Sequence, residues 1–298
     1  MAGSTTDFEQ FLQGEIKKYR GVTVPIRASM AERMLRTKLP CNSLHPNPAD
    51  EFCIPSVGPS YRIIGEYEEK FRKAIQFDNE PMEEPLIVQK IHPDGYLLLN
   101  GHHRWAAAIR CGIKKVPVKI VNLTQDTDIE KVIQNSKHDK RVSLDLDEVI
   151  LRTAEDEAIE KAPGFPFNRV YTERLKKGVP ALFHYLAKNG YDIWLFSANY
   201  YSYDYIRHLF WKHHAHVDAI VTGTQRKAQD DDKKKAREIS ERVNANYKET
   251  LTIDNSMVLK SERGSKDFEQ FDINGGDSEW SAEVIAIVEK IVKDAANE

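Results

Sequence analysis

Cysteine is scarce: the 298 residues contain three, at Cys41, Cys53 and Cys111. Thiols so few and so scattered exclude a disulfide framework or a paired-cysteine zinc module, and they fit a reducing compartment. Long apolar runs are missing as well; none approaches the roughly 18–20 residues a membrane helix needs. The opening MAGSTTDFEQFLQGE turns acidic where a secretory signal would be apolar, so a cytoplasmic location is expected. Neither charge dominates, with 43 Lys and Arg against 46 Asp and Glu and a net charge of -3. That balance excludes a globally basic surface for gripping nucleic acid and leaves only a local patch open. Repeats and low-complexity tracts are absent. What is there is an ordinary globular composition, 41% hydrophobic and 30% charged, and the 298 residues predict two domains.

The first half reads as amphipathic helices over Phe8–Tyr19 and Ala28–Leu39, broken at Pro40 and at Leu44-His45-Pro46-Asn47-Pro48. A helical stretch near Ile63–Ile75 leads to the buried-strand signal Pro85-Leu86-Ile87-Val88. A hairpin-like pair follows, Val88–Ile91 and Tyr96–Leu99 about Pro93-Asp94-Gly95. Gly101-His102-His103-Arg104 then opens an alanine-rich helix, Trp105–Cys111, closed by Gly112, and Val116–Val121 is another strand. A polar helical stretch, Asp126–His138, predicts a linker over 126–139 between domains at 1–125 and 140–298.

The second half alternates strand and helix. Strands are expected at Val142–Asp147, Tyr191–Ser197, Ala219–Val221 and Thr250–Asp254. Helices are expected at Val179–Lys188, Tyr203–Trp211, Lys233–Ala245 and Ser281–Lys293. This alternation predicts an α/β fold, a parallel sheet wound with helices and a site at the strands' carboxyl ends.

Three of those strand ends carry chemistry. Asp145-Leu146-Asp147 sets two carboxylates at the end of a buried strand, and like charges there need a cation or a shared proton. Magnesium, which takes hard oxygen ligands, is the natural cation. Ser197 ends the next strand, where its hydroxyl can donate to a phosphoryl oxygen. Asp254 ends a third. Between them Asp232-Lys233-Lys234-Lys235 opens a helix; Lys235 best fits the helical spacing of Ile239 and Val243, with Lys234 close behind.

In order and context these signals resemble the haloacid dehalogenase-like phosphatases, over the stretch from about Arg141 onward. The resemblance implies a Rossmann-like domain in which Asp145 is the nucleophile that becomes an aspartyl-phosphate. Asp147 would be the general acid and then the base, Ser197 would hold phosphoryl oxygens, and Lys235 would pair with Asp145 and the phosphoryl group. Asp145, Asp147 and Asp254 would hold magnesium. Two positions depart from the family pattern: Val149 stands where Thr is common, and Asn255 where a second acid is common. The stretch between the first two strands leaves room for a minimal cap only. An open site of that kind suits a macromolecular substrate or needs another domain to exclude water.

In the first half, Gly101-x-x-Arg104 between a strand and a helix start is a sensible phosphate cradle, with close backbone approach, outward amides and a guanidinium fork. The run Leu98–Ala107, with Gly112-Ile113, Val116-Pro117-Val118, Pro46-Asn47-Pro48 and Glu84–Val88, resembles the ParB/sulfiredoxin-like α+β domain over roughly Leu39–Leu123. Sulfiredoxins carry a reactive Cys where His102 stands. ParB CTPases favour an acid and paired arginines there, followed by a DNA-binding helical domain. The Gly-His-His-Arg form is closer to the free-serine-kinase branch. That branch implies a nucleotide (ATP, ADP or CTP) held at Gly101, His102, His103 and Arg104, with Asp50 or Glu51 nearest to an acidic base.

The resulting expectation is a magnesium-dependent phosphomonoester hydrolase with an N-terminal nucleotide- or phosphate-binding domain. The substrates left open are a phosphorylated small molecule, a nucleotide and a nucleic-acid end. The alternatives are a ParB-fold kinase or phosphotransferase using a small hydroxyl such as serine, and a nucleotide-sensing module. His208, His213, His214 and His216 match no zinc spacing. Tyr200, Tyr201, Tyr203 and Tyr205 lie close enough to Ser197 to stack a base or to pack.

Overall fold

A computed structural model describes residues 5–223 and 241–297. Lys233, Lys234 and Lys235 therefore lie outside the described residues. The chain divides into two compact units, with the boundary between Asn122 and Leu123. Among the described residues no helix is long and apolar enough to cross a membrane, and all three cysteines are free.

The first unit is mixed α and β. Helix α1 (Thr5–Tyr19) forms as its spacing predicts, and Phe8, Leu12, Ile16 and Tyr19 make one buried stripe. The helix expected over Ala28–Leu39 is much shorter. Helix α2 (Met30–Leu35) is six residues long, starts at a Ser29 cap that accepts from the Glu32 amide at 3.1 Å, and buries no side chain. Its Met30, Met34 and Leu35 are exposed, so no packing extends it and it stops early. Pro40 then holds the residue before it extended, so Lys38–Pro40 becomes strand β2.

Strands β1 (Val24–Pro25), β3 (Leu44–Pro46), β4 (Leu86–His92), β5 (Tyr96–Asn100) and β6 (Lys115–Ile120) complete a sheet of order β2-β6-β4-β5-β3, with β1 on β4. The β4–β5 hairpin turns through Gly95 at φ 78°, and a Cβ there would sit 2.4 Å from His45 Nε2. Helices α3 (Tyr61–Gln76) and α4 (His102–Arg110) pack together. Trp105, Ala106, Ala107 and Ala108 of α4 are fully buried in this unit's core with Leu86, Val88 and Leu98.

The second unit begins with the segment expected as a linker. It forms helix α5 (Asp126–Asn135), opened by a reciprocal Gln125–Asp128 cap, and its Ile129 packs with Trp194, Ala219, Val243 and Tyr247. Strands β7 (Lys140–Asp145), β10 (Tyr191–Phe196), β11 (Ala219–Val221), β12 (Glu249–Ile253), β13 (Met257–Glu262) and β14 (Phe268–Asp272) form a second sheet of order β11-β10-β7-β12-β13-β14.

The four strands from β11 to β12 are parallel, whereas β13 and β14 run antiparallel, so the sheet is mixed rather than parallel throughout. Burial explains the difference. Val142, Leu144, Ile193, Leu195, Leu251 and Ile253 are at most 1% exposed, as parallel strands covered on both faces must be. Four of the five β14 side chains are exposed, which an antiparallel edge tolerates. Between β7 and helix α6 (Val179–Lys188) lies a small insertion carrying a two-stranded hairpin, β8 (Leu151–Arg152) with β9 (Arg174–Leu175). Helices α7 (Tyr203–Lys212) and α8 (Trp280–Asn297) belong to the same unit.

Candidate functional site

In the second unit, sheet register brings the three strand ends into one row. Phe196 of β10 pairs with Asp145 of β7, and Ile253 of β12 pairs with Leu144. Asp145, Ser197 and Asp254 thus emerge side by side at the carboxyl ends of three adjacent parallel strands. Asp145 Oδ1 accepts the amides of Asp147 at 2.7 Å and Glu148 at 2.8 Å, closing the tight turn that starts at Leu146. Asp147 is turned the other way. Its carboxylate accepts from Ser197 Oγ at 3.0 Å, the Ala198 amide at 2.8 Å and the Asn199 amide at 3.4 Å. Asp147 and the fully buried Ser197 are therefore in direct contact, a pairing the sequence pattern did not show.

Asp254 sits on a turn fixed by its neighbours. Its amide donates to Met257 O at 2.9 Å, and its carbonyl accepts from Trp280 Nε1 at 3.1 Å. Asn255, read from sequence only as a missing acid, clasps this turn to the first one. Its Oδ1 accepts from Lys176 Nζ at 3.0 Å and Arg152 Nη2 at 3.2 Å, and its Nδ2 donates to Glu148 O at 3.0 Å. Lys176 is fully buried, 2.7 Å from Asp277 Oδ1 and 4.5 Å from the centre of the Trp280 ring, and burial lowers its pKa. Nothing in Lys176-Lys177-Gly178 marks the first lysine as special; its partners are distant in sequence. Replacing it with Met leaves the amide oxygen one donor short, and the second unit is expected to lose roughly 1–3 kcal/mol of stability. Urea unfolding of Lys176→Met against wild type checks this.

Among the described residues no three His, Cys, Asp or Glu side chains gather as a metal site would need. Asp145, Asp147 and Asp254 share the row without forming such a group, and the histidines from His208 to His216 form none either. Three of the four tyrosines after Ser197 serve packing. Tyr201, Tyr203 and Tyr205 lie against the core, and the Tyr205 hydroxyl is bonded to Glu173.

In the first unit, the start of α4 meets the loop after β3. His102 Nε2 accepts the Asn47 amide at 3.2 Å, and His103 Nε2 accepts the Ser60 amide at 3.1 Å. Each ring therefore carries its proton on Nδ1. That of His102 faces Asp50 Oδ1, 3.5 Å away, and Phe52 packs against both rings. Burial pushes His102 down to about 4, and burial lowers His103 as well. Asp50, one of the two acids weighed from sequence, is thus the one beside His102; it also caps the turn at Phe52, whose amide it accepts at 3.0 Å.

Gly101 adopts φ 95°, a conformation L side chains rarely enter, and a Cβ there would lie 2.5 Å from Leu86 Cδ2, so backbone and packing together account for the glycine. Arg104, expected as an open fork for phosphate, is 93% buried, and its Nη1 is 2.8 Å from Glu84 O and 2.9 Å from Glu84 Oε2. It anchors the loop before β4 to the helix.

A family model described as ParB N-terminal domain matches residues 71–137. The match spans β4, β5, the Gly101–Arg104 junction, α4, β6 and α5, and supports the ParB/sulfiredoxin-like part of the sequence reading. No curated protein matches the chain.

Proposed function

We propose, taking the ParB-like match as premise for the first unit, that the chain pairs a ParB/sulfiredoxin-like nucleotide- or phosphate-binding unit with a haloacid dehalogenase-like phosphomonoester hydrolase. The observation that carries the hydrolase reading is the row Asp145, Ser197, Asp254 across β7, β10 and β12, with Asp147 two residues past the first. A carboxylate at Asp145 attacks phosphorus as the ester P–O bond breaks. A proton from Asp147 goes to the leaving oxygen, and Asp147 then takes one from the water that cleaves the aspartyl-phosphate. Ser197 and the amides beside it form the polar wall around Asp147. Lys235 is assigned to the phosphoryl group on the family resemblance.

The donors in the row are hard oxygens, the chemistry of magnesium. They are not gathered as a site among the described residues. A chelator arm in the assay decides whether hydrolysis requires the ion.

The second reading, a kinase or phosphotransferase in the first unit, is favoured by one observation: Asp50 stands beside the neutral His102 at the start of α4. A phosphate-release screen over nucleotides, phospho-amino acids, end-phosphorylated oligonucleotides and an aryl phosphate tests both. Release from at least one phosphomonoester is expected. No release from any, with label passing from ATP to serine, would replace the first reading by the second.

A further inference from the structure

Three large aromatic side chains on two segments of the second unit, joined where Lys212 lies over both Phe167 and Trp211, stand in solvent: Phe165 is 74% exposed, Trp211 65% and Phe167 38%. The other tryptophans, Trp105, Trp194 and Trp280, are at most 1% exposed. A cation lies over each exposed ring. Lys212 Nζ is 3.3 Å from the centre of Phe167 and 4.5 Å from that of Trp211, and Arg169 Cζ is 5.3 Å from that of Phe165.

Two elements build the patch, and both are held in place. The short turn Phe167–Arg169 belongs to the insertion between β8 and β9, and Trp211 and Lys212 end α7. The insertion is tied to α7 by Tyr205, whose hydroxyl donates to Val170 O at 3.3 Å and whose ring lies 5.0 Å from that of Tyr171. Tyr205 is consumed by this tie, whereas Phe165, Phe167 and Trp211 face water.

A group of exposed aromatic rings marks an interaction surface. Residues 165–169 and 211–212 set two cations, Arg169 and Lys212, and no acid beside the rings. Flat faces with cations set between them complement a chain that alternates planar bases and phosphates.

We propose that this patch binds single-stranded nucleic acid, with bases stacked on Trp211, Phe167 and Phe165 and phosphates met by Lys212 and Arg169. Resting on the hydrolase reading, it further names the substrate as an end-phosphorylated strand. Helix α7 starts just after the Ala198–Asn199 amides that hold Asp147 and ends at Trp211 and Lys212. Its ten residues span about 15 Å, so a strand laid along it reaches the acid row a few nucleotides from the platform.

Trp211 supplies the probe, being the exposed tryptophan. Titrating the full chain with an unphosphorylated oligo(dT) is expected to quench the solvent-exposed part of the emission, with an affinity that falls as salt rises. In anisotropy titrations with a labelled oligo(dT), Phe167→Ala and Trp211→Ala, both on the surface, should each weaken binding roughly tenfold. Absence of binding at low salt, equal binding by wild type and both variants, or an emission change with anionic vesicles and none with oligo(dT) would each overturn the platform. Aryl-phosphate hydrolysis by the wild-type chain reports separately on the hydrolase reading. If oligo(dT) binds and that hydrolysis is absent, the platform stands and the hydrolase fails.

Discussion

Asp145→Asn is expected to lower phosphate release from an aryl phosphate by roughly a thousandfold or more while leaving the fold intact. An amide cannot serve as the anionic nucleophile, so no aspartyl-phosphate forms. Its oxygen can still accept the Asp147 and Glu148 amides, the two bonds that close the turn after β7. The substitution thus separates chemistry from architecture, which Asp145→Ala would not, since Ala also removes the cap. The measurement is steady-state hydrolysis beside thermal unfolding of the same samples. Near-wild-type turnover in a folded Asp145→Asn variant would remove Asp145 as the nucleophile.

Acidification from pH 6.5 towards 4 is expected to destabilise the first unit by on the order of 3 kcal/mol through His102. In the folded chain burial holds this imidazole neutral down to about 4, whereas in the unfolded chain it takes up a proton near 6.5. Between those values the unfolded state binds more protons, so stability rises with pH across the window. The contribution is fully present above 6.5 and is lost as pH falls through 4. The neighbouring His103, also lowered by burial, acts in the same direction. Hydrogen exchange of the α4 and β5 amides at pH 7, 6 and 5 follows this unit within the full chain. In His102→Gln, where the amide oxygen can still accept from Asn47, the pH slope should flatten. Exchange that is independent of pH in wild type would contradict the assignment.

The parts of this fold legible in the sequence are those written in local patterns. The stripe Phe8, Leu12, Ile16, Tyr19 marks a helix because a buried face repeats every three or four residues. The β4–β5 hairpin is marked by Pro-Asp-Gly between apolar runs, and the acid row by polar residues ending three buried strands. What stayed hidden depends on partners far apart in the chain. Arg104 looked like a phosphate fork until Glu84 was seen to hold it, and Asn255 looked like a lost ligand until Lys176 and Arg152 were seen on its oxygen. The antiparallel strand β14 is hidden because an exposed edge strand carries no strong apolar signal, and β13, which lies between β12 and β14, because its apolar run ends at Leu259. The aromatic patch was missed because Phe165 and Trp211 lie far apart in sequence, and either alone reads as core.

The position of β7 between β10 and β12 sets an order in time. As the chain leaves the ribosome, β7 can pair with β10 well before Glu249–Ile253 exists to cover its other edge. The Asp254 turn is later still, because the indole that holds its carbonyl belongs to Trp280, at the start of the last helix. A nascent chain cut short of Trp280 would therefore present Asp145 and Ser197 beside an unlatched third strand end, although Lys176, Asn255 and Asp277, the residues of the clasp, are already in it. Assembly of this centre is a late, long-range event, and pairings that distant in sequence are the slow ones in folding.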